Sequence, residues 1–316
     1  MTQPKQIRSR PAQNRGFYVT IGAVIVAVVI AVVVLRQQQS VVAPSASRVE
    51  FPHIHGLGFS SDGAQLYVPA HIGLVVFENN TWTIPELPAH DYMGYSAVDT
   101  GFYSSGHPDL RTDFLPLLGL VKSEDGGYSI QSLAFGGESD FHLMSAGYYS
   151  HTVYVINSEP NSDLSIGLYY TIDDGQVWEQ SQAQGLGGSP SQLAVHPTLS
   201  ETVAIATATG LYLSGDHGNT FTRIGNAAPV SAVSFNPLGN ILFWGYQNLS
   251  TYDMVTAETE TLTPLSLPSN DAISYIAINP ATSEVAIATF MKDIYLSQNN
   301  RQSWQQIAVQ GVGQSG

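Results

Sequence analysis

The sequence predicts an all-β fold: a six-bladed β-propeller, with seven blades as the alternative, preceded by one N-terminal transmembrane helix. After an apolar N-terminal stretch, short runs rich in Val, Ile, Tyr, Phe and Ala alternate with turns of Gly, Asn, Asp, Ser and Pro. A strand–turn–strand unit recurs along this region, and so does a second turn that contains Asp. Beyond the first apolar segment the sequence has no helical periodicity.

Residues 17–35 contain no charge. At about 1.5 Å per residue, a helix of this length nearly spans the ~30 Å hydrocarbon core of a bilayer. Basic residues are more numerous before the stretch than shortly after it, with Lys5, Arg8, Arg10 and Arg15 against Arg36 and Arg48. This asymmetry predicts a single-pass cell-membrane protein with a cytoplasmic N-terminus and an extracytoplasmic domain. A cleaved signal peptide is the alternative.

Four segments follow from this prediction. Residues 1–16 are expected to form a cytoplasmic basic tail and residues 17–35 the membrane anchor. Residues 36–48 are polar or small and predict a linker. Residues 49–316 are expected to form the propeller.

The expected propeller is strongly acidic. It contains five Lys and Arg against all 25 Asp and Glu, a net charge of −20. Such a surface repels nucleic acid and anionic lipid headgroups, which argues against both as partners. The chain contains no Cys, so disulfides, a thiol nucleophile and a Cys-ligated zinc site are excluded. The partners left open are a small molecule, a glycan or a protein bound at one face.

Four segments share the strand–turn–strand template: residues 55–70, 191–210, 231–245 and 274–289. Together with the Asp-containing turns they divide the domain into units of ~40–45 residues, a usual blade length. The predicted blades are residues 49–88, 89–135, 136–186, 187–226, 227–268 and 269–311.

The Asp-containing turn resembles the Asp-box, Ser/Thr-x-Asp-x-Gly-x-x-Trp, of sialidase-type propellers. The four copies are Thr171/Asp173/Gly175/Trp178, Ser214/Asp216/Gly218/Phe221, Ser123/Asp125/Gly127/Ile130 and the degenerate Ser297/Asn299/Arg301/Trp304. The carboxylate is expected to accept hydrogen bonds from backbone N–H groups, and glycine permits a positive φ. This role is structural and carries no catalysis.

Blades one to three differ from blades four to six where the innermost predicted strand begins. Two aligned positions carry His53/His55, Asp91/Met93 and Asp140/His142 in the first three blades. The same positions carry Ser189/Ser191, Pro229/Ser231 and Ala272/Ser274 in the other three. Residues i and i+2 of a strand share a face, so each pair is expected to point the same way at the mouth of the channel.

Imidazole with carboxylate is a transition-metal ligand set, and the sequence therefore predicts a metal site. The predicted ligands are His53, His55, Asp91, Met93, Asp140 and His142, with His71, His90 and His107 on adjoining loops as further candidates. Copper and zinc are the expected ions. The Met93 thioether favours copper, and without it zinc, iron or manganese fit equally. The alternative is an ordinary polar rim with Met93 packed in the core.

The other three histidines have simpler interpretations. His151 is expected lower on blade three, away from the predicted site. His196 occupies a turn position held by Asn in sister blades, and His217 a variable position of an Asp-containing turn. Both of these are expected to face solvent.

Five segments resemble a bacterial family of glycosyl-hydrolase-like Asp-box (BNR repeat) propellers: residues 53–58, 90–96, 101–109, 118–127 and 140–144. The resemblance implies a propeller and glycoside hydrolysis, for which Asp91 and Asp140 are the candidate catalytic carboxyls. Sialidases are similar in the Asp-boxes, but they clamp their substrate with three arginines. The three arginines after residue 48 do not converge in the predicted fold. Photosystem assembly-factor propellers, which bind partners without catalysis, share the architecture, and a pure interaction role stays open.

Overall fold

The structure is a computed structural model that describes residues 49–226, 228–262, 265, 267–298 and 301–314. The predicted tail, anchor and linker lie outside these residues, as does Asn299 of the degenerate turn. In the described part of the chain, no helix is long and apolar enough to cross a membrane.

The described residues fold as six antiparallel sheets, which confirms the six-bladed propeller. Blade one contains β1 (Gly58–Phe59), β2 (Leu66–Ala70), β3 (Gly73–Glu78) and β4 (Thr81–Thr83). Blade two contains β5 (Asp91–Val98), β6 (Gly101–His107), β7 (Leu120–Ser123) and β8 (Gln131–Ala134). Blade three contains β9 (Met144–Ala146), β10 (Val153–Asn157), β11 (Gly167–Thr171) and β12 (Glu179–Ser181).

The second half repeats this order. Blade four contains β13 (Pro190–Val195), β14 (Val203–Thr207), β15 (Gly210–Ser214) and β16 (Thr222–Ile224). Blade five contains β17 (Ala232–Phe235), β18 (Ile241–Gly245), β19 (Leu249–Asp253) and β20 (Thr259–Leu262). Blade six contains β21 (Ile273–Ile278), β22 (Val285–Thr289), β23 (Ile294–Gln298), β24 (Ser303–Val309) and β25 (Val312–Gly313). The first four strands of every sheet fall within the predicted blade, and the sixth sheet has a fifth strand just beyond the predicted end at residue 311.

The first strand of each blade lines the central channel. A cavity of about 120 Å³ is bordered by residues from all six of these strands. Because neighbouring strands run antiparallel, the segments that lead into the first strands and the loops between second and third strands share one end of the propeller. We call this end the upper face.

Apolar residues between the blades form the core. Among the described residues, six buried clusters occur, one at each contact between neighbouring blades. The second strands of blades four and six share the sequence VAIAT and are buried throughout. A strand covered on both faces needs no polar alternation, which explains the uninterrupted apolar runs.

Blade six closes the ring with the first described residues. The N–H of Phe51 donates to the carbonyl of Gly311 at 2.8 Å, and the N–H of Gly313 donates to Val49 at 2.9 Å. Phe51 also packs on Trp82 of blade one, with ring centroids 5.3 Å apart. The segment therefore joins the last blade to the first.

Three turns that carry the Asp motif have one hydrogen-bond pattern. The carboxylate of Asp216 accepts from the Ser214 hydroxyl at 2.7 Å and from the Thr220 N–H at 2.9 Å. Asp125 and Asp173 make the equivalent bonds in blades two and three. The following glycines have φ between 75° and 93°, a conformation that favours a residue without a Cβ.

We predict that Phe51→Ala lowers the free energy of unfolding by about 3–5 kcal/mol, because it leaves a cavity in a closed core. Phe51 is only 1% exposed. Chemical denaturation measures the change. Leu110→Ala is the control, since Leu110 is 98% exposed and its truncation should cost less than about 0.5 kcal/mol. Equal effects of the two substitutions would contradict the proposed closure.

We also predict a pH-dependent contribution from the Asp216 turn. The Thr220 hydroxyl and N–H, with the Ser214 hydroxyl, lower the pKa of Asp216 to about 2. An unperturbed Asp has a pKa of about 3.9, so this stabilisation is present above that pH and is lost as pH falls through the folded value. Asp216→Asn should therefore destabilise the protein near neutral pH, with a difference from the parent that shrinks in acid.

Denaturation curves across this pH range test the Asp216 prediction. Asp113→Asn, at an exposed carboxylate in the loop after β6, is the matched control. A difference between Asp216→Asn and the parent that is constant with pH would contradict it.

Candidate metal centre

The aligned pairs of blades one and three, His53/His55 and Asp140/His142, lie in the segments before the first strands. The prediction that they lie at the start of those strands was wrong: β1 begins at Gly58 and β9 at Met144. The N–H of His55 donates to the Pro69 carbonyl at 2.9 Å, so one further hydrogen bond extends the pairing of this segment with β2. Before β9 the chain bends, with the N–H of His142 bonded to the Asp140 carbonyl. Asp91, in contrast, is the first residue of β5.

Three of the predicted side chains converge on the upper face between blades one and two. The ligand atoms of His55, His71 and Asp91 all lie within 4.8 Å of one another. His71 Nδ1 lies 2.6 Å from Asp91 Oδ2 and 3.3 Å from His55 Nε2. His55 Nε2 lies 3.6 Å from Asp91 Oδ1. We call these three residues the triad.

His53 lies beside the triad. Its ring centroid is 4.6 Å from that of His71 and 6.1 Å from that of His55. A third imidazole is therefore within a short side-chain movement of the same position.

Asp140 is the centre of a second group, on the blade-three side. His142 Nδ1 lies 3.5 Å from Asp140 Oδ2, and His107 Nε2 lies 3.8 Å from the same oxygen. The Asp140 side chain is 12% exposed, whereas those of the two histidines are about half exposed. We call these three residues the Asp140 group.

Glycines let the first strands of blades one to three approach closely. A Cβ on Gly58 would lie 2.6 Å from the Cβ of Ala97 in β5. A Cβ on Gly94 would collide with the Phe141 carbonyl of blade three. These contacts bring the segments that carry His55, Asp91 and Asp140 together.

A buried hydroxyl fixes the segment that carries the Asp140 group. Ser105 of β6 is fully buried, and its Oγ accepts a hydrogen bond from the N–H of Phe141 at 2.8 Å. The chain is thereby anchored between Asp140 and His142. Sequence reasoning missed Ser105, because nothing local distinguishes it from the adjacent Ser104.

His90 lies in a different environment. It is 2% exposed, its ring is 5.6 Å from that of Phe114, and Nδ1 accepts from the N–H of Asp109 at 3.0 Å. Burial lowers its pKa against the opposing effect of Asp109. The Arg111 side chain in turn holds the pKa of Asp109 well below its usual range. His90 thus anchors the loop after β6 and stands apart from the triad.

Met93 occupies a β-bulge. The pairing of β5 with β6 matches Tyr92 to Gly106 and Gly94 to Ser105, so Met93 is the extra residue. A bulge interrupts the two-residue alternation of a strand. The sequence argument that Asp91 and Met93 share a face depends on that alternation, and the role of Met93 as a ligand stays a prediction.

Burial sets the protonation of the site. Burial lowers the pKa of His55 to about 4, although Asp91 opposes the shift. At neutral pH His55 is therefore an uncharged imidazole with a free lone pair, the form that binds metals. Burial raises the pKa of Asp140, and nearby Asp91 adds to this, against the histidines His142 and His107.

Each carboxylate has one oxygen that accepts no hydrogen bond, although Asp91 Oδ1 lies 3.6 Å from His55 Nε2. Among the described residues, Asp91 Oδ1 and Asp140 Oδ1 are buried and accept no hydrogen bond. An unpaired buried carboxylate oxygen is costly, and a bound cation would remove that cost. The donor set also fits a transition metal, since it combines imidazole nitrogens with carboxylate oxygens.

The three remaining histidines lie elsewhere. His151 Nε2 is 2.6 Å from Asp99, in the turn between β9 and β10 at the opposite end from the upper face. His217 stacks on Tyr170 and is partly buried. The expectation that His196 faces solvent was wrong: it is 7% exposed, and its Nδ1 accepts from the N–H groups of Thr198 and Leu199.

The arginines do not line the triad. Arg111 pairs with Asp109, Arg301 lies over the Phe243 ring at 5.7 Å, and Arg223 is in β16. Within the described residues, every ion-pair partner of Asp91 and of Asp140 is a histidine. An arginine clamp of the sialidase kind is therefore absent from this part of the chain.

No family model and no curated protein match the chain. Among solved structures, it is similar to a GH74 enzyme of Niastella koreensis, with TM-score 0.56 and 14% identity over 83% of this chain and 46% of that one. An ancestral GH74 enzyme gives TM-score 0.53 and 11% identity, over 84% and 40%.

The extracellular domain of a hybrid two component system of B. thetaiotaomicron gives TM-score 0.52 and 14% identity, over 83% and 33%. The chain thus spans less than half the length of these three proteins. At such identities the likeness supports the β-propeller fold and nothing finer, because one fold carries many functions.

We predict that Gly94→Ala destabilises the fold by about 1–3 kcal/mol, the usual cost of overpacking. The added methyl would push β5 away from the segment between Asp140 and His142. Denaturation measures the loss, and NMR of the histidine rings reports the displacement. Gly215→Ala is the matched control, since a Cβ there meets nothing within 4 Å. If Gly94→Ala were as stable as Gly215→Ala and left the histidine rings in place, the site would not depend on the close approach at Gly94.

Proposed function

We propose that the chain is a metal-binding propeller whose triad, His55, His71 and Asp91, holds a transition-metal ion on the upper face. The observation that carries the proposal is the convergence of three ligand atoms within 4.8 Å of one another. The buried, unpartnered Oδ1 of Asp91 supports it. His53 is the candidate for a fourth ligand.

Zinc and copper are the ions that we propose. Two imidazoles and a carboxylate suit both, and the set leaves coordination positions open to water or substrate. The 40% exposure of the His71 side chain gives solvent access to the site. An accessible site suits either binding and delivery of the ion or a metal-dependent reaction at the cell surface. We favour binding, because no nucleophile–base pair accompanies the triad in the part of the chain that the structure describes.

The proposed location is the outer side of the cell membrane, with the domain anchored by residues 17–35. The uncharged stretch and the basic residues before it support this. We also propose that the Asp-containing turns are Asp-boxes and that the chain is related to the glycosyl-hydrolase-like family that it resembles. The shared hydrogen-bond pattern of three turns supports the first point.

Metal analysis of the purified protein tests the metal proposal. We expect near-stoichiometric zinc or copper in the parent and its loss in His55→Ala/His71→Ala, or a dissociation constant raised more than about 100-fold. Loss of a group that only orients a ligand already costs about 10–100-fold. His151→Ala is the control, because His151 also contacts an aspartate but lies at the opposite end. No bound metal in the parent, even after incubation with either ion, would reject the proposal.

A glycoside hydrolase using Asp91 and Asp140 is the second candidate. The raised pKa of Asp140 favours it, because a general acid must hold its proton near neutral pH. This candidate predicts cleavage of a glycoside that survives treatment with a chelator and is abolished by Asp140→Asn. If the chelator abolishes glycoside cleavage, or if no glycoside is cleaved, the hydrolase candidate is rejected and the metal proposal remains.

A further inference from the structure

The Asp140 group has the composition of the triad. Both consist of one carboxylate and two imidazoles, and both carboxylates have a buried Oδ1 without a hydrogen-bond partner among the described residues. The Asp140 group combines residues from the end of β6 and from the segment before β9. The triad combines the segment before β1, the β2–β3 turn and the start of β5, so the two groups share no residue.

The distances within the Asp140 group are too long for hydrogen bonds. His142 Nδ1 and His107 Nε2 lie 3.5 and 3.8 Å from Asp140 Oδ2, whereas N–H···O bonds measure about 2.7–3.2 Å. Ligands about 2.0–2.2 Å from a tetrahedral ion are about 3.3–3.6 Å from each other. The two distances to Asp140 Oδ2 are therefore closer to those between ligands of one cation than to those of hydrogen bonds. Among the described residues, the triad alone has three ligand atoms within 4.8 Å of one another, so the nitrogens of His107 and His142 lie farther apart than that. One of these half-exposed imidazoles must turn towards Oδ2 to complete the second set.

The two groups are neighbours. Asp91 and His107 are register partners in the β5–β6 ladder, and directly opposed residues have Cα atoms about 4.5–5.5 Å apart. The contact of Gly94 with Phe141 holds the segment of Asp140 against the same strand. The carboxylates of Asp91 and Asp140 thus lie on neighbouring blades, with side chains 23% and 12% exposed and with no lysine or arginine partner among the described ion pairs.

We infer that His107, Asp140 and His142 form a second cation position beside the triad, so that the upper face binds a pair of divalent transition-metal ions. This inference rests on the proposed function, because it adds a second ion to the same centre. Two ions compensate two partly buried carboxylates, and a single ion at the triad would leave the buried Asp140 Oδ1 without a partner.

Zinc stoichiometry tests the inference. The parent and two double variants, His107→Ala/His142→Ala and His55→Ala/His71→Ala, are stripped with a chelator, reloaded with Zn²⁺, freed of excess ion and analysed for zinc per chain. We expect two ions in the parent and one in each variant. Thermal unfolding of the metal-free proteins confirms that each variant is folded, and His151→Ala should keep two ions.

The outcomes separate the inference from the proposed function. One ion in the parent that is retained in His107→Ala/His142→Ala would overturn the inference and leave the triad site intact. One ion that either double variant abolishes would indicate a single shared site and also overturn it. No zinc in any protein would reject both.

Copper loading tests whether the two positions are adjacent. We expect the Cu²⁺ electron paramagnetic resonance spectrum of the parent to show magnetic coupling between two ions, and each double variant to give the signal of an isolated ion. A parent spectrum equal to the sum of the two variant spectra would overturn the adjacency.

Discussion

The close approach of the first strands of blades one, two and three is the constraint on which the site depends. Gly58 and Gly94 permit it, since a Cβ at either position would clash with the neighbouring blade. Histidine and aspartate side chains from three blades reach each other only because their backbones are this near. Blades four to six carry serine, proline and alanine at the aligned positions, so the same architecture there forms no such centre.

The charges in and around the site favour binding of a cation. The domain after residue 48 has a net charge of −20, and two of its five lysines and arginines pair with other carboxylates, Arg111 with Asp109 and Lys122 with Glu124. Asp91 and Asp140 are left with imidazole neighbours, one of which, His55, is uncharged at neutral pH. A partly buried carboxylate in this setting attracts a cation, and the surrounding negative potential favours cations over anionic ligands.

Local sequence signals predicted most of the fold. The strand–turn–strand units and the Asp-containing turns are short-range features, and they placed all six blades. The one-sided distribution of histidines also predicted that side chains of blades one to three meet on the upper face, and the structure brings His55, His71 and Asp91 together there. Both predictions depend on repetition, because aligned blades turn a single chain into an internal comparison.

Contacts between blades could not be predicted in the same way. The comparison of aligned blade positions did not distinguish His71, yet His71 contacts both Asp91 and His55. His90 looked equivalent to it in sequence but accepts a hydrogen bond inside the loop after β6. The bulge at Met93 depends on how β5 meets β6, which alternation along one strand does not reveal.

Anomalous diffraction at the zinc absorption edge, from crystals soaked in Zn²⁺, tests the central claim most directly. The account predicts an anomalous peak about 2.0–2.2 Å from His55 Nε2, His71 Nδ1 and an Asp91 oxygen. Peaks confined to exposed carboxylates elsewhere on the acidic surface, with none at the triad, would contradict it.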